Sequence, residues 1–274
     1  MESYSIFITT NNTIYVTDTR RNIVQVWLNE KDSSIRSISS VHPYSIFVTD
    51  NEDVYIDNGY QNGRIDRWTF SATSGAPVMY VEDACHSVFV DINDTLYCSM
   101  IKLHKVMKSS LKDDSNSSTK AAGTGFSGNA PNTLSQPSGI FVDINLDLYV
   151  ADFGNNRIQL FKPGEVKGIT IAGIEIGIKL KKPVALLIDA DNYLYILEYN
   201  REQIIRLYLD DLEHSDTYSH SLLKIDKIDS SYSFAFDSYG NIFVADRLGD
   251  IRKFSFIVNS CSKYWFMYDS IVKE

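Results

Sequence analysis

The chain has 274 residues, 44% of them hydrophobic, 22% charged and 12% aromatic, with a formal charge of −9. That apolar share excludes wholesale disorder, and 17 Tyr with 14 Phe lean toward strands. The acidic balance repels phosphate backbones and argues against general nucleic-acid binding.

Taken in chain order, one unit recurs six times. Each opens with a short apolar strand, at residues 5–8, 45–48, 87–90, 139–142, 185–188 and 233–236. Nine positions after the anchors Ile6, Ile46, Val88, Ile140, Leu186 and Phe234 comes an aromatic: Tyr15, Tyr55, Tyr97, Tyr149, Tyr195 and Phe243. Three positions after each anchor stands a turn former, Thr9, Thr49, Asp91, Asp143, Asp189 or Asp237, whose side chain can bond nearby backbone. Gly240 in the sixth turn is free to take positive φ. Third strands are predicted at 23–27, 64–70, 105–108, 157–161, 204–209 and 251–256. Fourth strands are predicted at 34–39, 77–81, 119–122, 169–174, 221–225 and 264–268.

Units of four strands that start 40, 42, 52, 46 and 48 residues apart have the size of propeller blades. First strands such as Ile-Phe-Val and Ala-Leu-Leu-Ile are apolar on both faces, which suits a sheet packed between two neighbours. No helical period runs through any unit. The expectation is an all-β fold, a six-bladed β-propeller of four-stranded antiparallel blades, occupying 1–274 as a single domain. The blades start near 5, 45, 87, 139, 185 and 233. Closure is left open between side-chain packing of the terminal blades, pairing of residues 262–272 with blade one, and a longer natural chain.

Three stretches carry a family resemblance. They are Pro137-Ser-Gly-Ile-Phe-Val-Asp143, Leu148-Tyr-Val-Ala-Asp152 and Asn155-Asn-Arg-Ile-Gln-Leu-Phe161. Together they resemble an NHL repeat. Asn241-Ile-Phe-Val-Ala-Asp246 and Ile14-Tyr-Val-Thr-Asp18 follow the same pattern, while the third and fifth units match only in anchors and aromatics. The resemblance implies a six-bladed propeller. It leaves activity open, since such propellers serve as scaffolds, RNA binders and occasionally enzymes.

Candidate sites follow from the repeat. Asp18, Asn58, Met100, Asp152, Glu198 and Asp246 each stand three after the second-strand aromatic, at loop mouths on one face of the disc. They read either as an acidic crown for a cation or basic partner, or as side chains tying their own loops; repetition in every blade favours the second reading. Pro43, Pro137 and Pro183 stand three before the anchor and rigidify the lead-in to the channel, a slot held by Cys85 in blade three. Cys85 and His86 admit a nucleophile or metal-ligand reading, but adjacent strand residues diverge. A buried thiol beside a rim histidine is the expectation. The other cysteines, Cys98 and Cys261, read as ordinary small residues, with at least one thiol free. Of the histidines, only His42 and His86 fall near equivalent positions, so no convergent metal set is expected.

Gly123-Thr-Gly-Phe-Ser-Gly128 has the dinucleotide-fingerprint spacing, but no strand–turn–helix unit surrounds it. Lys102, Lys105 and Lys108, with Lys179, Lys181 and Lys182, could make a local basic patch if their loops converge, but no arginine–aromatic cluster accompanies them.

The expected function is a non-catalytic module that binds a protein or peptide on one face of the disc, through Asp18, Asn58, His86, Asp152, Glu198 and Asp246. No catalytic residue, metal or cofactor is expected, and nucleic acid is disfavoured. The alternatives are a hydrolase or lyase with an axial metal, and an RNA-binding propeller. No run of about 18 apolar residues and no apolar leader is visible, so a monomer, cytoplasmic by default, is expected, as a domain on its own or within a longer protein. Asn11, Asn93 and Asn116 begin glycosylation sequons that matter only if a leader precedes them.

Overall fold

The computed structural model describes residues 5–28, 34–113, 116–199, 201, 203–209, 220–224, 231–246, 250–257 and 266–272. Six four-stranded antiparallel sheets are built in strict chain order, each strand pairing with its sequence neighbour. The innermost strands are Ile6–Ile8, Ile46–Val48, Ser87–Val90, Pro137–Val142, Pro183–Ile188 and Ser233–Phe236. Their hairpin partners are Thr13–Asp18, Val54–Asp57, Thr95–Met100, Leu148–Asp152, Tyr193–Glu198 and Ile242–Ala245. The invariant spacing becomes an invariant register: Phe7 faces Tyr15, Phe47 faces Tyr55, Phe89 faces Tyr97, and Ala235 faces Phe243.

The hairpin turns explain why no unit gains or loses a residue there. One carboxylate oxygen of Asp91 accepts the N–H groups of Asn93 and Thr95. Asp143, Asp189 and Asp237 repeat the pattern two and four residues on. The other oxygen takes the hydroxyl of the anchor tyrosine in Asp91–Tyr97 and Asp189–Tyr195. An insertion would break three bonds at once. Burial, with these carboxylates beside them, raises both tyrosines above the ordinary phenol range.

The core is distributed between blades. Six apolar clusters fill the six interfaces, as where Tyr149, Ile158 and Ile171 of blade four meet Leu186, Leu194 and Ile196 of blade five. Second strands are buried on both faces, in full from Thr13 to Asp18, as sheets sandwiched between neighbours require. Blades four and five approach so closely that a Cβ on Gly139 would lie 2.7 Å from the Ala185 Cα, a place only glycine fits.

Closure is by packing. The strand Phe266–Val272 pairs with Ile251–Ile257 in blade six, which removes its pairing with blade one. Ile6, Ile14, Val16 and Trp27 instead bury themselves against Ala235, Phe243, Ala245 and Ile251.

Candidate functional site: the axial channel and its mouth

In an antiparallel blade of this order, the second-to-third strand loops and the lead-ins to the next blade share one face. The first hairpin turns and the third-to-fourth connections share the other. The innermost strands surround an axial cavity of about 370 Å³. The position after each anchor lines it, giving a collar of Phe7, Phe47, Phe89, Phe141, Leu187 and Ala235. The four phenylalanines run ring to ring, with centroids 5.1, 4.8 and 5.1 Å apart, inside the favourable range for tilted aromatic pairs.

The position before each anchor is Ser5, Ser45, Ser87 or Ser233, with Gly139 and Ala185 in blades four and five. Ser45, Ser87 and Ser233 strap blades together. Ser45 Oγ accepts the Val88 N–H at 2.8 Å, Ser87 Oγ accepts that of Ile140, and Ser233 Oγ accepts that of Ile6. The wall is therefore largely apolar, with these three hydroxyls engaged in structure. Neither collar nor straps were singled out from sequence, although Phe and Ser recur visibly beside the anchors.

At the mouth, His86 and Tyr232 line the cavity, and Tyr44 packs on His86 at 5.5 Å. Burial, with Lys102 nearby, brings His86 down to about 4 despite the pull of Asp83, so its imidazole is neutral at pH 7. Outward from Tyr232 the rings continue to Tyr199 at 5.1 Å and on to Phe153 at 6.1 Å. Lys182 Nζ lies 5.5 Å over the Phe153 ring, within cation–π range. Lys179 and Lys181 are exposed on the same lead-in.

The acidic positions sit beneath this surface. Asp18, Asn58, Asp152, Glu198 and Asp246 are all buried. Asn58 Oδ1 accepts from Val41, Asp152 from the Ser135 N–H, and Glu198 from the Lys181 N–H. Each donor stands two residues before the lead-in proline of the same blade. Asp18 and Asp246 accept the N–H groups of Arg21 and Asp250 in their own loops. Burial raises Asp152, offset by bonds from Asn155, Ser135 and Arg157. The buried Arg157 donates to Asp152 and to the carbonyls of Asn129, Ala130 and Thr133. It thereby pins the Gly-rich connection, which carries no helix.

A second tie recurs alongside. Asn22 and Asn156, both at positive φ, accept the N–H groups of His42 and Lys182 in the next lead-in. His104 does the same for Gln136 through Nδ1, at 3.0 Å. His104 is thus a loop cap, His42 is exposed, and His214 lies outside the described residues. Among the described residues no three His, Cys, Asp or Glu side chains converge on a point.

Blade three departs from the rule, and the expected thiols are corrected. Met100 cannot accept a hydrogen bond from the lead-in. There Cys85, in the proline slot, forms a disulfide with Cys98 of the second strand, with Cα atoms 5.2 Å apart. The disulfide ties the blade-three lead-in to its second strand, as hydrogen bonds to Asn58, Asp152 and Glu198 tie the lead-ins of blades two, four and five; Cys261 lies outside the described residues. Cysteine also brings an N–H that proline lacks. It donates to Asp57, whose other oxygen accepts the Gly59 N–H. Full burial pushes Asp57 up to about 7, against the pull of those bonds. The corresponding residue facing each proline lead-in is Thr17, Ser99 or Ala151, never a carboxylate.

Two lysines of blade three are paired, Lys102 with Asp83 and Lys105 with Glu82. Lys179, Lys181 and Lys182 form a basic group beside the aromatic run.

Six radially arranged four-stranded sheets around an axial channel define a β-propeller. Its fourth blade carries the NHL repeat, whose family model matches residues 134–161; the chain is a six-bladed propeller containing that repeat. No curated protein sequence matches it. Among solved structures, a streptogramin B lyase is 13% identical, with a TM-score of 0.67 over 98% of this chain and 82% of its own. Virginiamycin B lyase from Staphylococcus aureus, in a catalytically inactive form with quinupristin, gives 13% and 0.66 over 97% and 84%. A chain of the nidogen/laminin complex gives 14% and 0.66 over 90% and 87%. At these identities the likeness is one of fold.

Proposed function

We propose that this is a non-catalytic binding propeller whose lead-in face receives a protein or peptide, an apolar side chain of the partner entering the axial channel. The observation that carries the reading is the run of rings from Phe153 through Tyr199 to Tyr232, leading into a phenylalanine-lined cavity. Half-buried aromatics beside a concave apolar pocket are the usual anchors of protein recognition. Lys179, Lys181 and Lys182 flank them, so the favoured segment is acidic as well as apolar. His86 takes part at the mouth. Asp18, Asn58, Asp152, Glu198 and Asp246 act from below, by holding the loops that present the surface. The nidogen/laminin structure is a precedent for a protein complex on this fold. RNA is disfavoured because the rings pack on one another, Phe153 on Tyr199 edge to face and Tyr199 on Tyr232 tilted, and leave few free faces for bases.

Selection of displayed peptides against the full chain tests this. Binders are expected to combine acidic with aromatic or aliphatic residues. They are expected to lose affinity at least tenfold against Tyr232→Ala or Lys181→Glu, and to be unaffected by Phe70→Ser on the opposite face. Binders insensitive to the mouth variants would refute the reading.

A further inference from the structure

We propose that this chain matures in an oxidising, glycosylating compartment and carries an N-linked glycan on Asn93. Two independent observations meet here. The first is the buried Cys85–Cys98 disulfide. Such structural bonds form and persist in oxidising compartments, and this one ties a lead-in that blades two, four and five tie by a hydrogen bond.

The second is the fitness of Asn93 as an acceptor. Asn93-Asp94-Thr95 is a sequon at the tip of the blade-three hairpin, and Asn93 is exposed. Asp91 already holds that turn through the N–H groups of Asn93 and Thr95, and among the described residues the Asn93 carboxamide bonds to no other group. The equivalent Asn145 of blade four donates its amide to Asp143. Asn11 in blade one accepts from Thr9 and Thr13 and donates to Glu52.

Topology gives the placement a meaning. Asn11 and Asn93 lie on first hairpin turns, and Asn116 lies on the third-to-fourth connection of blade three. All three sequons therefore fall on the face opposite the aromatic mouth. A glycan at Asn93 would cover the adjacent Ile92, which is 68% exposed, and leave the lead-in face open. In the transfer, Asn93 Nδ2 bonds to the anomeric carbon of a lipid-pyrophosphate-linked oligosaccharide. The anomeric C–O bond breaks with its electrons going to the departing lipid pyrophosphate, and the amide loses one proton.

The test maps glycans and disulfides on the protein from its native cells and on the full chain expressed behind a secretory leader. Peptide-N-glycosidase F in ¹⁸O water should convert Asn93 to labelled Asp in both samples. The glycan should be lost in Asn93→Gln and Thr95→Ala and retained in Thr95→Ser. Non-reducing peptide maps should show Cys85 joined to Cys98. A native protein with Asn93 unmodified, or with both thiols free, overturns the proposal. Neither result bears on peptide binding at the mouth, so the two readings fail separately.

Discussion

The Ile6 N–H donates to Ser233 Oγ at 3.3 Å, joining residues 227 positions apart across the seam between the last blade and the first. Among the described residues no strand crosses this seam, so the strap and the cluster around Phe243 do the work of closure. Ser233→Ala leaves a partly buried N–H unsatisfied and should cost about 1–3 kcal/mol. Phe243→Ala opens a cavity in the same cluster and should cost about 3–5 kcal/mol. Urea titration gives the magnitudes. Hydrogen exchange should show faster opening in blades one and six in both variants, and unchanged seam protection would mean that closure lies elsewhere.

The disulfide in blade three spans 13 positions, and closing a loop of that size is worth about 3 kcal/mol. Cys85→Ser with Cys98→Ala should lower stability by that order, and reductant should have no further effect on the double variant. Cys85→Pro restores the residue type of blades two, four and five, yet it should be worse than the double variant: besides the disulfide it removes one of the N–H groups that the buried Asp57 accepts. If proline is tolerated as well as serine, Asp57 does not depend on that donor.

Asp57 and His86 oppose one another in pH. Asp57 is raised from 3.8 to about 7, so the folded chain keeps a proton that the unfolded chain has released. Its contribution to stability is full below the unfolded value and falls as pH rises through that window. His86 is lowered from 6.5 to about 4, so there the unfolded chain binds the extra proton and stability rises with pH over roughly pH 4 to 6.5. The two slopes offset each other in the native chain. Asp57→Asn should expose the rise, and His86→Gln should expose the fall. Urea midpoints across that range would show the two profiles diverging; parallel profiles would sink the assignment.

Much of this architecture was legible because turn chemistry and burial repeat. A strand apolar on both faces, a carboxylate three residues after its anchor and an aromatic six further on are local facts, and each has one geometric solution. Cys85 with Cys98 was not legible in that way. Their bond joins a lead-in to a strand 13 positions on, and its clue was an absence, Met100 where an acceptor was due. The Phe153–Tyr199–Tyr232 run was hidden for another reason. Its members come from three blades and from two kinds of connection, so no spacing in the chain announces them. The carboxylates were visible as a ring, but their aim depends on which lead-in N–H each one meets.

One strained position recurs in all six hairpin turns. Asn12, Glu52, Asp94, Leu146, Asn192 and Gly240 have φ between 59° and 80°, the left-handed region that costs an ordinary residue about 1 kcal/mol. Asn, Asp and Gly tolerate it; Leu146 has neither a short polar side chain nor glycine's freedom. It is only partly buried, so its replacement forfeits little apolar contact. Leu146→Asn should therefore stabilise the protein by up to about 1 kcal/mol, while Gly240→Leu, which imposes the same strain on blade six, should cost at least as much. Paired urea titrations of the two variants decide it. If Leu146→Asn destabilises, contacts made by the leucine outweigh the strain, and the turn is held by its side chain as well as by the two N–H bonds to Asp143.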